Sequence, residues 1–178
     1  MRRTPLALLP LALACLAAAP APKSPAKPSP HKPPARAAAA FDARDPQGLM
    51  TILDAAGATS QTSQREGETV LVGVQSAVAA FSMQFVGCSS GRACKAVLFD
   101  SALEGAPTLA QINAYNQASA ACRIVQMRQG GAHVLYSALL FSSTTREDAA
   151  THLAAWQGCL ADARDFARDP VRFLAEAA

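Results

Sequence analysis

Residues 81–100, FSMQFVGCSSGRACKAVLFD, contain two apolar runs separated by a short loop with a cysteine at each end. In the first run Phe81, Met83 and Phe85 alternate with polar residues, which is the period of a β-strand with one buried face. A second apolar run follows Cys94. The segment therefore predicts two neighbouring strands, at 79–87 and 95–103, in an antiparallel sheet with one covered and one wetter face.

Further strands are predicted on both sides of this segment. Residues 69–76 alternate, with valine at positions 70, 72 and 74 on one side. Residues 58–64 are polar and predict a weak edge strand, followed by a turn at 65–68. The runs 122–129 and 132–141 predict a hairpin across a Gly-Gly pair, because glycine adopts the positive φ that a tight turn needs.

Helices are predicted before and after the strands. The Asp-Pro pair at 45–46 is typical of a helix start and Gly57 of a helix end. Thr144 and Glu147 have the capping-box spacing that opens a long last helix, which the Asp-Pro pair at 169–170 should end. The apolar positions of the first helix are Leu49, Ile52, Leu53 and Ala56, and those of the last are Ala149, Leu153, Trp156, Leu160, Ala163 and Ala167.

A middle helix is predicted from the capping-box spacing of Thr108 and Gln111. At about 100° per residue, its apolar face would include Leu109, Ile112, Asn113 and Asn116. A buried amide must find hydrogen-bond partners. Asn113 and Asn116 therefore either bond to the backbone of adjacent strands and loops or line a ligand site.

The predicted order is α-ββββ-α-ββ-α, which indicates an α+β fold with an antiparallel sheet packed by helices. The folded domain is placed at residues 42–170, with a short tail at 171–178. About 135 residues is an ordinary size for one domain.

The first residues are typical of a secretory signal, because Arg2 and Arg3 precede a short apolar run. We place a signal peptide at 1–19. Two cleavage sites remain open: Leu11-Ala12-Leu13-Ala14-Cys15 resembles a lipobox that would make Cys15 a lipidated first residue, and the Ala17-Ala18-Ala19 cluster is the alternative. The chain is therefore expected to be exported to the periplasm or cell envelope, either lipid-anchored or soluble.

Residues 20–41 are rich in Pro, Ala and Lys and predict an extended linker. This linker carries four positive charges, whereas residues 41–178 hold 10 Lys and Arg against 13 Asp and Glu. The net charge of +3 for the whole chain thus hides a mildly acidic domain of net charge −3. A nucleic-acid-binding domain would concentrate basic residues on the fold, so that class is not expected.

Four cysteines remain when Cys15 is set aside, and an even number in an exported domain indicates disulfides. Cys88 and Cys94 flank one hairpin loop and are the natural first pair. Cys122 would then pair with Cys159, or both would stay unpaired. No metal-binding spacing joins these cysteines to a histidine such as His133 or His152.

Several of these residues together resemble one family. They are Phe85-Val86-Gly87-Cys88 with Cys94, the run Ile112-Asn113-Ala114-Tyr115-Asn116, and Trp156 in the closing helix. Over about residues 43–168 the chain resembles the YbjN-like domain, a bacterial sensory transduction regulator family, although that family often has Trp at position 115. The resemblance implies a fold like that of type III secretion chaperones, no established catalytic residues, and protein or peptide binding by fold analogy.

No catalytic motif, such as Gly-x-Ser-x-Gly or a phosphate-binding glycine loop, occurs in the sequence. We therefore expect no enzyme activity and no cofactor. The leading hypothesis is an exported domain that binds an unknown protein or peptide partner through its sheet or its last helix, where Arg164, Arg168 and Arg172 form a basic stripe. The alternatives are a thiol redox protein or sensor using Cys88 and Cys94, and a structural envelope lipoprotein that contacts the membrane only through Cys15.

Overall fold

The computed structural model describes residues 40–177, which form an α+β fold. In chain order its elements are α1 (Pro46–Ala55), β1 (Thr59–Glu66), β2 (Thr69–Gln75), β3 (Ala80–Val86), β4 (Ala96–Leu103), α2 (Leu109–Ala118), β5 (Arg123–Gln126), β6 (Ala132–Leu139), α3 (Arg146–Arg168) and α4 (Pro170–Glu176). The signal peptide, nearly all of the linker and the candidate lipidation site Cys15 lie outside the described residues. Within the described part, every helix is too short or too polar to cross a membrane.

The six strands form one antiparallel sheet in the order β1-β2-β3-β4-β6-β5. The polar strand β1 lies at one edge, as its composition predicts. It runs two residues further than expected, so the predicted turn at 65–68 is too long. Arg65 and Glu66 pair with Val70 and Thr69, because Gly67 at φ +54° allows a two-residue connection.

One face of the sheet, here called the inner face, is covered by helices. It contains the alternating apolar residues that the sequence predicts, all 8% exposed or less: Val70, Val72, Val74, Phe81, Met83, Phe85, Val97 and Phe99. Trp156 of α3 is 1% exposed and lies against Phe81 and Phe99, with each ring centroid 5.6 Å away. Trp156 is therefore a core residue, as its mid-stripe position suggests.

The start of α3 differs from the prediction by one residue. Thr145 is the N-cap and forms a capping box with Asp148, whereas Thr144 and Glu147 do not. The hydroxyl of Thr144 instead accepts a hydrogen bond from the amide of Phe141 at 3.0 Å, so it belongs to the preceding turn. The predicted stripe of α3 is buried up to Ala163, after which fully buried Phe166, rather than half-buried Ala167, continues it.

The predicted tail forms a fourth helix, α4, whose N-cap Asp169 also ends α3. Phe173 of α4 packs on Tyr115 and Phe166, with ring centroids 5.7 and 5.8 Å away. The last residues therefore extend the core beyond the predicted boundary at 170. The basic stripe is also divided, because Arg172 lies on α4 rather than on α3.

Candidate functional site

The second face of the sheet carries side chains that the helices leave half-buried or exposed. We call it the open face, and it consists of Leu71, Gly73, Ser82, Gln84, Val86, Ala96, Leu98, Asp100, His133, Leu135, Ser137 and Leu139. These residues alternate along β2, β3, β4 and β6 with the buried residues of the inner face, so they point to the opposite side. The open face spans the centre of the sheet rather than one edge.

Apolar side chains of the open face line up across the strands. Val86 pairs with Ala96, and Ala96 pairs with Leu139, in one row near the Cys88–Cys94 loop. Val86 is 37% exposed and Leu139 63% exposed, and Phe141, two residues further, is 58% exposed. Clustered exposed apolar side chains mark binding surfaces more often than scattered ones do.

Asp100 and His133 form a polar pair in the middle of the open face. Asp100 Oδ1 lies 2.6 Å from His133 Nδ1, and each side chain is 28% exposed. The strand register pairs Asp100 with Leu135 and Ala102 with His133, so the two side chains meet diagonally. An ionised carboxylate only accepts hydrogen bonds, so Nδ1 donates and the ring orientation is set by Asp100.

Sequence reasoning missed this pair. His133 drew attention only as a partner for cysteines, and Asp100 was not singled out at all. The pair depends on the register of β4 against β6, which joins residues 33 positions apart. Alternation alone places both residues on the polar side of their strands and leaves their distance undetermined.

Helix α2 separates the two asparagines that were expected to share its buried face. Asn116 is half-buried, and its amide donates to the carbonyl of Ile124 at 2.9 Å and accepts from the amide of Ile124 at 2.8 Å. Asn113 is exposed, as is Leu109 at 62%, so the predicted face is wrong for these two residues and right for buried Ile112 and for Asn116, which bonds strand backbone as one of the two alternatives expected. The buried residues of α2 are Ile112 and Tyr115, since the aromatic side chain packs against Phe166 and Phe173.

Cys88 and Cys94 form a disulfide, and the two residues are 4% and 0% exposed. The amide of Cys88 donates to Glu68 O at 2.9 Å, and that of Cys94 donates to Arg44 O at 3.0 Å. The loop also contacts the start of α1, where Arg92 Nε lies 3.4 Å from Asp45 Oδ2. The disulfide closes the loop, and these backbone bonds hold it against the β1–β2 hairpin and the turn before α1.

Cys122 and Cys159 form a second disulfide, and they are 6% and 1% exposed. This bond links the start of β5 to the middle of α3 across 37 positions of sequence. Both pairings are those expected from the sequence. Two disulfides are compatible with an oxidising compartment.

Two buried polar atoms have no hydrogen-bond partner among the described residues, Tyr115 Oη and Trp156 Nε1. Burial, and after it the charge of Asp162, raises the pKa of Tyr115 to about 12, while Ser119 and Arg123 act in the opposite direction. Neither aromatic residue lies on the open face. They are best explained as large core residues whose apolar area outweighs one unpaired group.

The histidines do not gather metal ligands. Within residues 40–177, no cluster of three or more His, Cys, Asp or Glu side chains has an arrangement that could hold a metal ion. His133 is bonded to Asp100, and His152 Nδ1 lies 2.7 Å from the hydroxyl of Tyr136.

No protein-family model, curated protein or solved structure matches this chain. The resemblance to the YbjN-like family and to the fold of type III secretion chaperones therefore stays a prediction.

Proposed function

We propose that this chain is a non-enzymatic, exported YbjN-like domain that binds a protein or peptide partner in the bacterial cell envelope. The observation that carries the proposal is the open face. The helices pack on one side of the sheet. The other side presents a row of apolar residues from Val86 to Leu139 near one end of the strands and, further along the same strands, the bonded pair Asp100 and His133.

The chemistry of the open face favours a protein partner with apolar side chains. Leu71, Leu98 and Leu135 are half-buried at its centre, and Gln84 and Ser137 flank Leu98 on the neighbouring strands. Such a mixture of apolar area and uncharged hydrogen-bonding groups is typical of protein interfaces. The mildly acidic domain offers little attraction to nucleic acid.

An envelope location is part of the same proposal. The two disulfides, the signal-like first residues and the Pro-rich linker support export. Lipidation at Cys15 would place the domain on a tether at the membrane, where its partner would also be found.

The thiol redox alternative has less support. Both cysteines of the Cys88–Cys94 pair are at most 4% exposed, so a thiol of another protein would reach the sulfurs poorly. Thiol trapping across a redox titration separates the two hypotheses. A pair that opens under mild reductant would favour the redox function over partner binding.

Site-specific photo-crosslinking of the full chain in intact cells tests the proposal. A photoreactive residue at Leu98 or Leu139 should give an adduct with one partner, whereas the same residue at Ala154 or Gln157, exposed on α3, should not. The partner is then identified by mass spectrometry and purified. Binding of the purified partner should be lost in Leu98→Asp with Leu139→Asp and retained in Gln157→Asp.

Two results would contradict this proposal. Adducts of equal yield at the open-face and α3 positions would show unspecific contact. An adduct with the mass of two copies of the chain would assign the open face to self-association instead.

A further inference from the structure

A cleft of about 810 Å³ lies between the second half of α3 and the ends of β3 and β4. The α3 side of the cleft is formed by Leu160, Ala163, Arg164, Ala167 and Arg168. Their spacing of three and four residues places them on one side of the helix. The volume falls in the range of small-molecule sites, about 300–1,000 Å³.

Small side chains on both walls create this space. The lining includes Ala163 and Ala167 on α3, Ser101 on β4, and Ala79 just before β3. The strands also separate here, because the pairing of β3 with β4 ends at Ser82 and Asp100 while β4 continues to Leu103. An open cleft of this size between a helix and its sheet is a candidate ligand site.

The cleft contains one buried polar side chain. Ser101 is 7% exposed. Apart from the polar atoms of buried aromatic residues, it is the only buried polar side chain among the described residues. Its hydroxyl donates to the carbonyl of Ala80 at 2.9 Å, which bridges the separated strands and leaves the oxygen able to accept one more hydrogen bond. The remaining inner lining is aliphatic.

Two arginines stand at the α3 rim of the cleft. Arg168 Nη1 lies 3.2 Å from Asp165 Oδ1 on the same helix, and Arg164 has no ion pair within residues 40–177. Glu104 lies at the opposite rim, at the end of β4. An anionic group would therefore be attracted to the α3 rim and repelled from the β4 rim.

We propose that this cleft binds a medium-chain fatty-acid anion. The alkyl chain would lie between the alanine-lined walls, and the carboxylate would bind Arg164 and Arg168, since guanidinium groups match carboxylate geometry. An internal peptide segment fits the two arginines less well, because its backbone carries no anionic group that they could bind. The site lies on the helix-covered side of the sheet, so it is separate from the open face and does not depend on the partner-binding proposal.

Calorimetric titration of the full chain with sodium dodecanoate, below its micelle concentration, tests this inference. Saturable binding to one site is expected, and dodecyltrimethylammonium, a cation with the same alkyl length, should bind at least tenfold more weakly. Arg164→Ala with Arg168→Ala should also weaken dodecanoate at least tenfold. Arg172→Ala, which removes an exposed charge outside the cleft, should change the affinity less than twofold.

A second variant fills the cleft. Ala167→Leu should weaken dodecanoate binding at least tenfold, and Ala154→Leu, at an exposed position of the same helix, should leave it unchanged. Thermal unfolding shows whether Ala167→Leu is folded. If it is not, the Arg164→Ala with Arg168→Ala variant still tests the proposal, because both side chains are exposed. The proposal is overturned by no saturable binding, by equal binding of the cation, by unchanged affinity in the arginine variant, or by tighter binding of the capped peptide acetyl-Ala-Leu-Ala-Leu-amide.

Discussion

Asp100 and His133 meet across two neighbouring strands, with Oδ1 and Nδ1 only 2.6 Å apart, on the open face of the sheet. Their side chains are each 28% exposed, so the pair is neither a buried ion pair nor a freely solvated one. Such a half-exposed pair is expected to contribute little to the stability of the sheet.

A double-mutant cycle with Asp100→Ala and His133→Ala should therefore give a small coupling energy. We expect about 0.2–1 kcal/mol, because cross-strand and solvent-exposed pairs contribute this much. Urea unfolding of the two single variants and the double variant measures it. Ser137→Ala on the same face serves as a reference with no effect on the pair. A coupling above about 2 kcal/mol would assign the pair a structural role instead.

Asn116 should contribute far more to stability than Asn113, although both belong to the same helix. Asn116→Ala leaves the amide and the carbonyl of Ile124 without their side-chain partners, which should lower the free energy of unfolding by about 2 kcal/mol. Asn113→Ala is the matched control and should change it by less than about 0.5 kcal/mol, because that side chain is exposed. Chemical denaturation gives both values. Equal losses for the two variants would show that the bonds to Ile124 contribute little.

The two disulfides should differ in their contribution to stability. Loop closure predicts about 2 kcal/mol for Cys88–Cys94, which are six residues apart, and about 4 kcal/mol for Cys122–Cys159, which are 37 apart. Each pair is replaced by two alanines so that no free thiol is left. The urea midpoint should fall further for Cys122→Ala with Cys159→Ala. The reverse order would mean that the bonds of the first loop to Arg44 and Glu68 outweigh loop closure.

Tyr115 predicts a loss of stability in alkali. Its pKa is raised from 10.0 to about 12 in the folded protein, mainly by burial. The unfolded chain ionises at this tyrosine at a lower pH than the folded protein does. The stability that neutral Tyr115 contributes is therefore complete below about pH 10 and is lost as the pH rises toward 12. The loss should be on the order of 2 kcal/mol.

The variant Tyr115→Phe isolates this effect. Its stability should lie within about 1 kcal/mol of the parent at pH 7, because the hydroxyl has at most a weak contact with Ser119 to lose. Between pH 10 and 12 it should lose less stability than the parent, as urea unfolding at several pH values would show. Burial also raises the pKa of Tyr136. That residue is present in both proteins, so its effect cancels in the comparison. Parallel curves for the two proteins would contradict the assignment to Tyr115.

Local patterns predicted most of the elements. Period-two alternation located β2, β3 and β4 and the inner-face side of each, since neighbouring side chains of a strand point to opposite faces. The apolar stripe of α3 and the caps at Asp45 and Thr108 were readable because helix geometry repeats over three or four residues. Competing local bonds caused the errors, as at Thr144, whose hydroxyl belongs to a turn rather than to the helix cap.

The buried face of α2 shows why local patterns also fail. The helix is weakly amphipathic, and its orientation is set by Tyr115, which packs on Phe166 of α3 and Phe173 of α4. Those partners are more than fifty residues away along the chain, and the last segment is expected from the sequence to add at most one helical turn. The asparagines alone could not reveal which side of α2 faces the core.

The sequence by itself indicated the α+β class, the inner and outer sides of the central strands, and the Cys88–Cys94 pair, while it left the pairing of Cys122 with Cys159 open. These properties depend on short-range periodicity and on the small number of partners that four cysteines allow. Only the tertiary structure decided that Asp100 meets His133, that the helices of residues 40–177 pack on one face of the sheet, and that small residues of α3 and β4 leave a cleft between them. These features depend on strand register and helix placement, which join residues 33 or more positions apart and leave no trace in a local pattern.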